Sequence, residues 1–104
     1  MGYCIINCTT SSKGNAVEIA EYLIENKLAA CVNIVPNVVS VYKWDGKVVE
    51  GQEYLMVIKT KEKLFKEIEK AICERHEYEL PEIVAMPIIK GNKEYLKWLK
   101  SETV

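Results

Sequence analysis

From Tyr3 to Thr9 the side chains alternate, with Cys4, Ile6 and Cys8 on one side and Tyr3, Ile5 and Asn7 on the other. That period of two predicts a strand. Thr10-Ser11-Ser12-Lys13-Gly14 then supplies loop residues and cap candidates, after which Ala16, Ile19, Ala20 and Leu23 recur at helical spacing. Ala30 to Trp44 is rich in Val and Ile and predicts a long strand. Pro36-Asn37 interrupts it, and because proline cannot donate to a ladder a bulge or bend is expected there. Asp45-Gly46 is a two-residue hairpin signal, since a type I′ turn needs positive φ at both positions. Lys47 to Lys59 is the expected return strand. Thr60 is placed to cap a second helix whose apolar stripe is Leu64, Phe65, Ile68, Ala71 and Ile72. Glu82 to Ile89 predicts a fourth strand, with Pro87 marking an edge or bulge, and Asn92 opens a last helix carrying Tyr95, Leu96, Trp98 and Leu99.

The order β-α-β-β-α-β plus a C-terminal helix predicts an α+β, ferredoxin-like domain over residues 1–104, with one antiparallel sheet and two helices on one face. That fold hosts many functions and decides none of them. The central hairpin is too long for such a domain. About 13 residues at roughly 3.3 Å each reach about 43 Å, whereas a helix of about 14 residues reaches about 21 Å. The distal half still carries Val38, Val41, Tyr42, Trp44, Val48 and Val49. An uncovered apolar ribbon with open edges calls for a symmetric partner.

Composition narrows the field. Apolar residues make up 49 % of the chain and the formal net charge is −1, which fits one folded core and argues against a phosphate-tracking nucleic-acid binder. No apolar run is long enough to span a membrane. The N-terminal stretch has no basic n-region or apolar h-region, so the cytoplasm is the expected compartment and the four cysteines are expected to be reduced. One histidine and one arginine leave no Ser-His-acid set, and no enzymatic activity is expected.

Six segments in register carry a resemblance: Cys8-Thr9-Thr10, Leu28 to Asn33, Tyr42 to Lys47, Ile58-Lys59-Thr60, His76 to Ile83, and Tyr95 to Leu99. Together they resemble the CutA family of divalent-cation tolerance proteins. The resemblance implies a homotrimer of ferredoxin-like subunits, similar to PII signalling proteins, and binding of copper or another divalent cation. It implies Cys8, Cys31 and His76 as metal ligands. Thiolate and imidazole suit copper and zinc. Two positions depart from the family pattern. Arg75 replaces the first of a tandem histidine pair, and a guanidinium repels a metal. Glu77 replaces the usual proline, which leaves the second helix free to run further toward Pro81. At a helix C-terminus, His76 is also favoured simply as an imidazolium. Tyr42, Trp44 and Tyr78 are expected to line an intersubunit cleft, with Glu53, Lys59 and Glu82 as its polar groups. The alternative function is a PII-like signalling or adaptor trimer that takes a small anion or a protein partner at that cleft, a reading that Arg75 favours.

Overall fold

The computed structural model describes residues 2–104. Ser12 caps the first helix by accepting from the Asn15 amide at 3.1 Å, and this sets where the chain leaves β1 (Tyr3–Thr10) and enters α1 (Lys13–Glu25). Ala16, Ile19, Ala20 and Leu23 face the core from α1. Lys27 takes a left-handed φ of 57° to end the helix. The chain continues as β2 (Cys31–Trp44) and β3 (Lys47–Lys61), then through a short 3₁₀ turn (Glu62–Leu64) into α2 (Phe65–Arg75). β4 (Val84–Pro87) and α3 (Lys93–Ser101) complete it, with Asn92 capping α3 through the Tyr95 amide.

The sheet order is β2-β3-β1-β4 with antiparallel pairing throughout, the topology of the predicted ferredoxin-like fold. Cys4, Ile6, Cys8, Met56 and Ile58 point from the sheet into a core shared with α1 and α2. The opposite face carries α3, whose Leu99 is buried. The pairing register shifts between Val35 and Val38, with Asn37 at a φ of 62°, so the bulge falls at the expected Pro36-Asn37. Asp45 and Gly46 have φ of 55° and 79°, as a type I′ turn demands.

Three local expectations are corrected. Thr60 does not cap a helix: β3 runs on to Lys61, and the buried Thr60 hydroxyl donates to the Leu28 carbonyl. β4 is shorter than Glu82–Ile89: its ladder with β1 runs from Cys4 to Asn7, and a single further bond, from the Ile88 amide to the Tyr3 carbonyl, follows it. The second helix does not run on toward Pro81. It stops at Arg75 because Asn15 intervenes, its Nδ2 donating to the Arg75 carbonyl at 2.9 Å and its Oδ1 accepting from the Glu77 amide at 3.3 Å.

The molecule measures 45 × 25 × 22 Å, and the long axis is set by the hairpin. Beyond the bulge no helix of the described residues covers it. Trp44 is 58 % exposed and Val48 is 72 % exposed, with Val39, Val41 and Tyr42 also open to solvent.

Candidate functional site

The segment from His76 to Glu82 leaves α2 through an extended His76, with φ −76° and ψ 142°, and then bends over residues 77–80. Three contacts fix its path. His76 Nε2 lies 2.8 Å from the Thr9 carbonyl, and His76 Nδ1 accepts from the Tyr78 amide at 2.9 Å. A carbonyl can only accept and an amide N–H can only donate, so Nε2 serves as the ring's donor and Nδ1 as its acceptor. Both nitrogens are engaged and no lone pair is left over. Glu77 accepts from Ser11 and Ser12 at 3.2 and 3.4 Å, which ties the segment to the start of α1.

Tyr78 reaches across to β3 and donates to Glu53 Oε2 at 2.6 Å. Glu53 is only 8 % exposed. The Tyr78 phenol is held well above its usual range by burial first, then by the hydrogen bond and charge of Glu53. Between this segment and the distal hairpin lies a cleft of about 590 Å³. Tyr42, Trp44 and Tyr78 supply its aromatic surfaces and Glu53, Glu79 and Glu82 its carboxylates. Thr9, Ser40, Val41 and Leu80 complete the lining, and no Lys, Arg or His of the described residues takes part.

Five of the expected cleft residues therefore meet in one subunit: Tyr42, Trp44, Glu53, Tyr78 and Glu82. Lys59 is not one of them. It lies farther along β3, paired with Ile5 on one side and Cys31 on the other. Arg75 does not serve the cleft either. Its guanidinium sits 3.3 Å from the Tyr22 ring centroid and donates to the Ala71 carbonyl at 2.9 Å.

The three expected metal ligands are not brought together within a subunit. Cys8 shares a row with Met56 and Ile34, whereas Cys31 shares one with Lys59 and Ile5. Directly opposed strand residues share a face, so Cys8 points toward the helices and Cys31 toward α3, where its thiol meets the Tyr95 hydroxyl. The rows are also about 10 Å apart along the strands. Cys8 is fully buried, and burial, with Glu82, Cys73 and Glu53 nearby, pushes its thiol up to about 12. It is a neutral thiol at neutral pH. Among the described residues no group of three or more His, Cys, Asp or Glu side chains is arranged to hold a metal ion. All four cysteines are free.

Asn15 is the residue that sequence reasoning missed. The signal was a polar side chain on the buried stripe of α1, one turn before Ile19.

Residues 4–102 match the family described as CutA1 divalent ion tolerance protein. The Divalent-cation tolerance protein CutA of Thermus thermophilus is 46 % identical over 99 residues, 95 % of this chain and 96 % of that protein. The chloroplastic Protein CutA of Arabidopsis thaliana is 40 % identical over 95 % of this chain but only 54 % of its own length, so the chain spans about half of that relative. A solved CutA1 structure from Oryza sativa superposes with a TM-score of 0.97 at 42 % identity, covering 100 % of this chain and 95 % of that one. The Archaeoglobus fulgidus structure, called a periplasmic divalent cation tolerance protein CutA, gives a TM-score of 0.93 at 39 % identity, covering 96 % and 97 %. With a family match over residues 4–102 and solved CutA1 structures that superpose over nearly the whole chain, the chain belongs to the CutA1 family of divalent-cation tolerance proteins.

Proposed function

We propose that this protein acts in divalent-cation tolerance as a homotrimer that binds copper or another divalent cation and catalyses no reaction. The observation that carries the assembly is the uncovered distal hairpin, where Val39, Val41, Tyr42, Trp44 and Val48 stand exposed in a single subunit. An apolar strip of this kind calls for a partner surface. The family's name supports the cation, and four free thiols support a reducing, cytoplasmic setting.

Cys8 and His76 are the donors to test, with Cys31 third. For Cys8 and His76 to ligate, the metal must displace a proton from the Cys8 thiol and take one ring nitrogen of His76 from its present partner, the Thr9 carbonyl or the Tyr78 amide. Uptake at this place would release protons and strengthen with pH. Because Cys31 faces the other side of the sheet, it can join only through another subunit or in a separate site. Native mass spectrometry under reducing conditions, with and without copper, is the test. A trimer gaining one metal per subunit, with the gain lost in Cys8→Ala and His76→Ala, supports the reading. A trimer that gains none, or unchanged uptake in both variants, overturns it.

The alternative of a small anion at the cleft has no electrostatic support, because Arg75 is engaged on Tyr22 and the cleft carries three carboxylates.

A further inference from the structure

We propose that α3 and the strap after it, Glu102 to Val104, form a lid over Cys31 that the Lys61 side chain latches shut. Little apolar contact holds this lid. α3 has nine residues, and an isolated helix of that length is marginal in water. Leu99 is the one residue of α3 that is buried, and it stands outside the core shared with α1 and α2. The rest of the hold is polar and is gathered in the strap. The Thr103 hydroxyl donates to the Leu99 carbonyl at 2.9 Å, so strap and helix move together. The Val104 amide donates to the Lys27 carbonyl at 2.9 Å, at the left-handed turn that ends α1. Lys61, at the end of β3, donates from Nζ to the Thr103 carbonyl at 3.2 Å and to the Val104 carbonyl at 2.8 Å.

Lys61 makes the hold breakable. It is 6 % exposed, and its ammonium meets main-chain oxygens of the strap and no carboxylate side chain of the described residues. Burial first, then Lys63 and Lys100, hold it below the usual lysine range. A buried charge with only dipoles as partners is costly, so opening returns the ammonium to water and offsets the hydrogen bonds it gives up. The lid covers Cys31, which is half-buried and whose thiol meets the Tyr95 hydroxyl of α3. Cys4 and Cys8 lie in the core on the other face, and Cys73 is exposed. The lid therefore governs the access of metal ions, oxidants or electrophiles to Cys31 alone, and it stands whether or not Cys31 takes a metal.

Pulsed labelling of the reduced protein with N-ethylmaleimide, read at each cysteine by mass spectrometry, tests the lid. Cys73 should label at once, and Cys4 and Cys8 only on global unfolding. Cys31 should label at an intermediate rate. Sub-denaturing urea should raise that rate with a shallower slope than for Cys4 and Cys8, because less surface opens. Lys61→Met keeps the stem and removes the charge. It should speed Cys31 by at least about tenfold, as the loss of a charge-assisted hydrogen bond implies, with Cys73 unchanged and Cys4 and Cys8 still protected. An unchanged Cys31 rate in Lys61→Met would remove the latch. Equal urea slopes at Cys4, Cys8 and Cys31 in the unmodified protein would show that Cys31 opens only by global unfolding, and would overturn the lid even if the variant failed to fold. A Cys31 rate that falls as protein concentration rises would assign the cover to another subunit and overturn it as well.

Discussion

Replacing Tyr78 with Phe removes one oxygen and keeps the ring, so the change isolates the hydrogen bond to Glu53. That bond is short, at 2.6 Å, and its acceptor is a carboxylate that is 8 % exposed. Hydrogen bonds to charged groups contribute about 1.5–3 kcal/mol, and a buried acceptor left without a donor bears its desolvation cost. Tyr78 is only half-buried, so water can reach part of the vacated position. The lower end, about 1.5 kcal/mol, is therefore expected. For a domain near 100 residues that corresponds to a melting temperature lower by about 6–12 °C.

The assay is urea or thermal unfolding of the wild type, Tyr78→Phe, Glu53→Gln and the double variant. Subunit concentration must be held constant, because association shifts apparent stability. A coupling energy of about 1 kcal/mol or more should emerge from the cycle. Strict additivity, or a Tyr78→Phe variant that unfolds with the wild type, would refute the claim that this bond anchors the segment. Alkaline pH tests the same bond. The folded-state pKa of the phenol is raised, so its contribution is fully present below about pH 10 and is lost as pH climbs toward the folded value. In Tyr78→Phe that part of the alkaline destabilisation should vanish.

Asn15→Ala removes both hydrogen bonds that end α2 and should cost about 2 kcal/mol in urea unfolding; an unchanged midpoint would show that the helix ends for another reason. Cys8, whose thiol is raised from the usual 9.0 to about 12 by burial, stabilises the fold fully below about pH 9. That contribution should fall by up to about 1.4 kcal/mol per pH unit above it. The stability difference between wild type and Cys8→Ala should shrink across that window, and a flat difference would refute the assignment. Trp44→Ala should lower the mass seen on dilution in native mass spectrometry while single subunits stay folded, since Trp44 is 58 % exposed within a subunit; an assembly that resists dilution equally well would remove Trp44 as an anchor.

The fold was legible because its signals are local. Alternation in Tyr3–Thr9, the Asp45-Gly46 turn and the Pro36-Asn37 interruption each act within a few residues, and the observed φ values at Asn37, Asp45 and Gly46 follow from them. Element ends were less legible wherever a distant group decides them. Thr60 reads as a cap, yet its hydroxyl answers the Leu28 carbonyl 32 residues away. The end of α2 depends on Asn15, 60 residues earlier. The candidate site divides the same way. Tyr42, Trp44, Tyr78 and Glu82 line one cleft within a single subunit, whereas Lys59 of the same expected set lies elsewhere on β3. Cys8 and Cys31 are separated by strand parity, which register alone reveals: Cys8 aligns with Met56, and Cys31 aligns with Lys59.

The His76–Glu82 segment couples the core to the cleft through groups that share atoms or neighbours. His76 binds the Thr9 carbonyl, which follows Cys8 on β1. Tyr78, whose amide His76 accepts, holds Glu53 on β3. Any ligand that takes Nδ1 of His76 must release the Tyr78 amide, and so loosens the residue that fixes Glu53. Metal capture at His76 should therefore weaken the hold of Tyr78 on Glu53 as well. A structural histidine with both nitrogens engaged is thus a poor resting ligand but a sensitive one, because its capture is felt directly at the Tyr78–Glu53 bond.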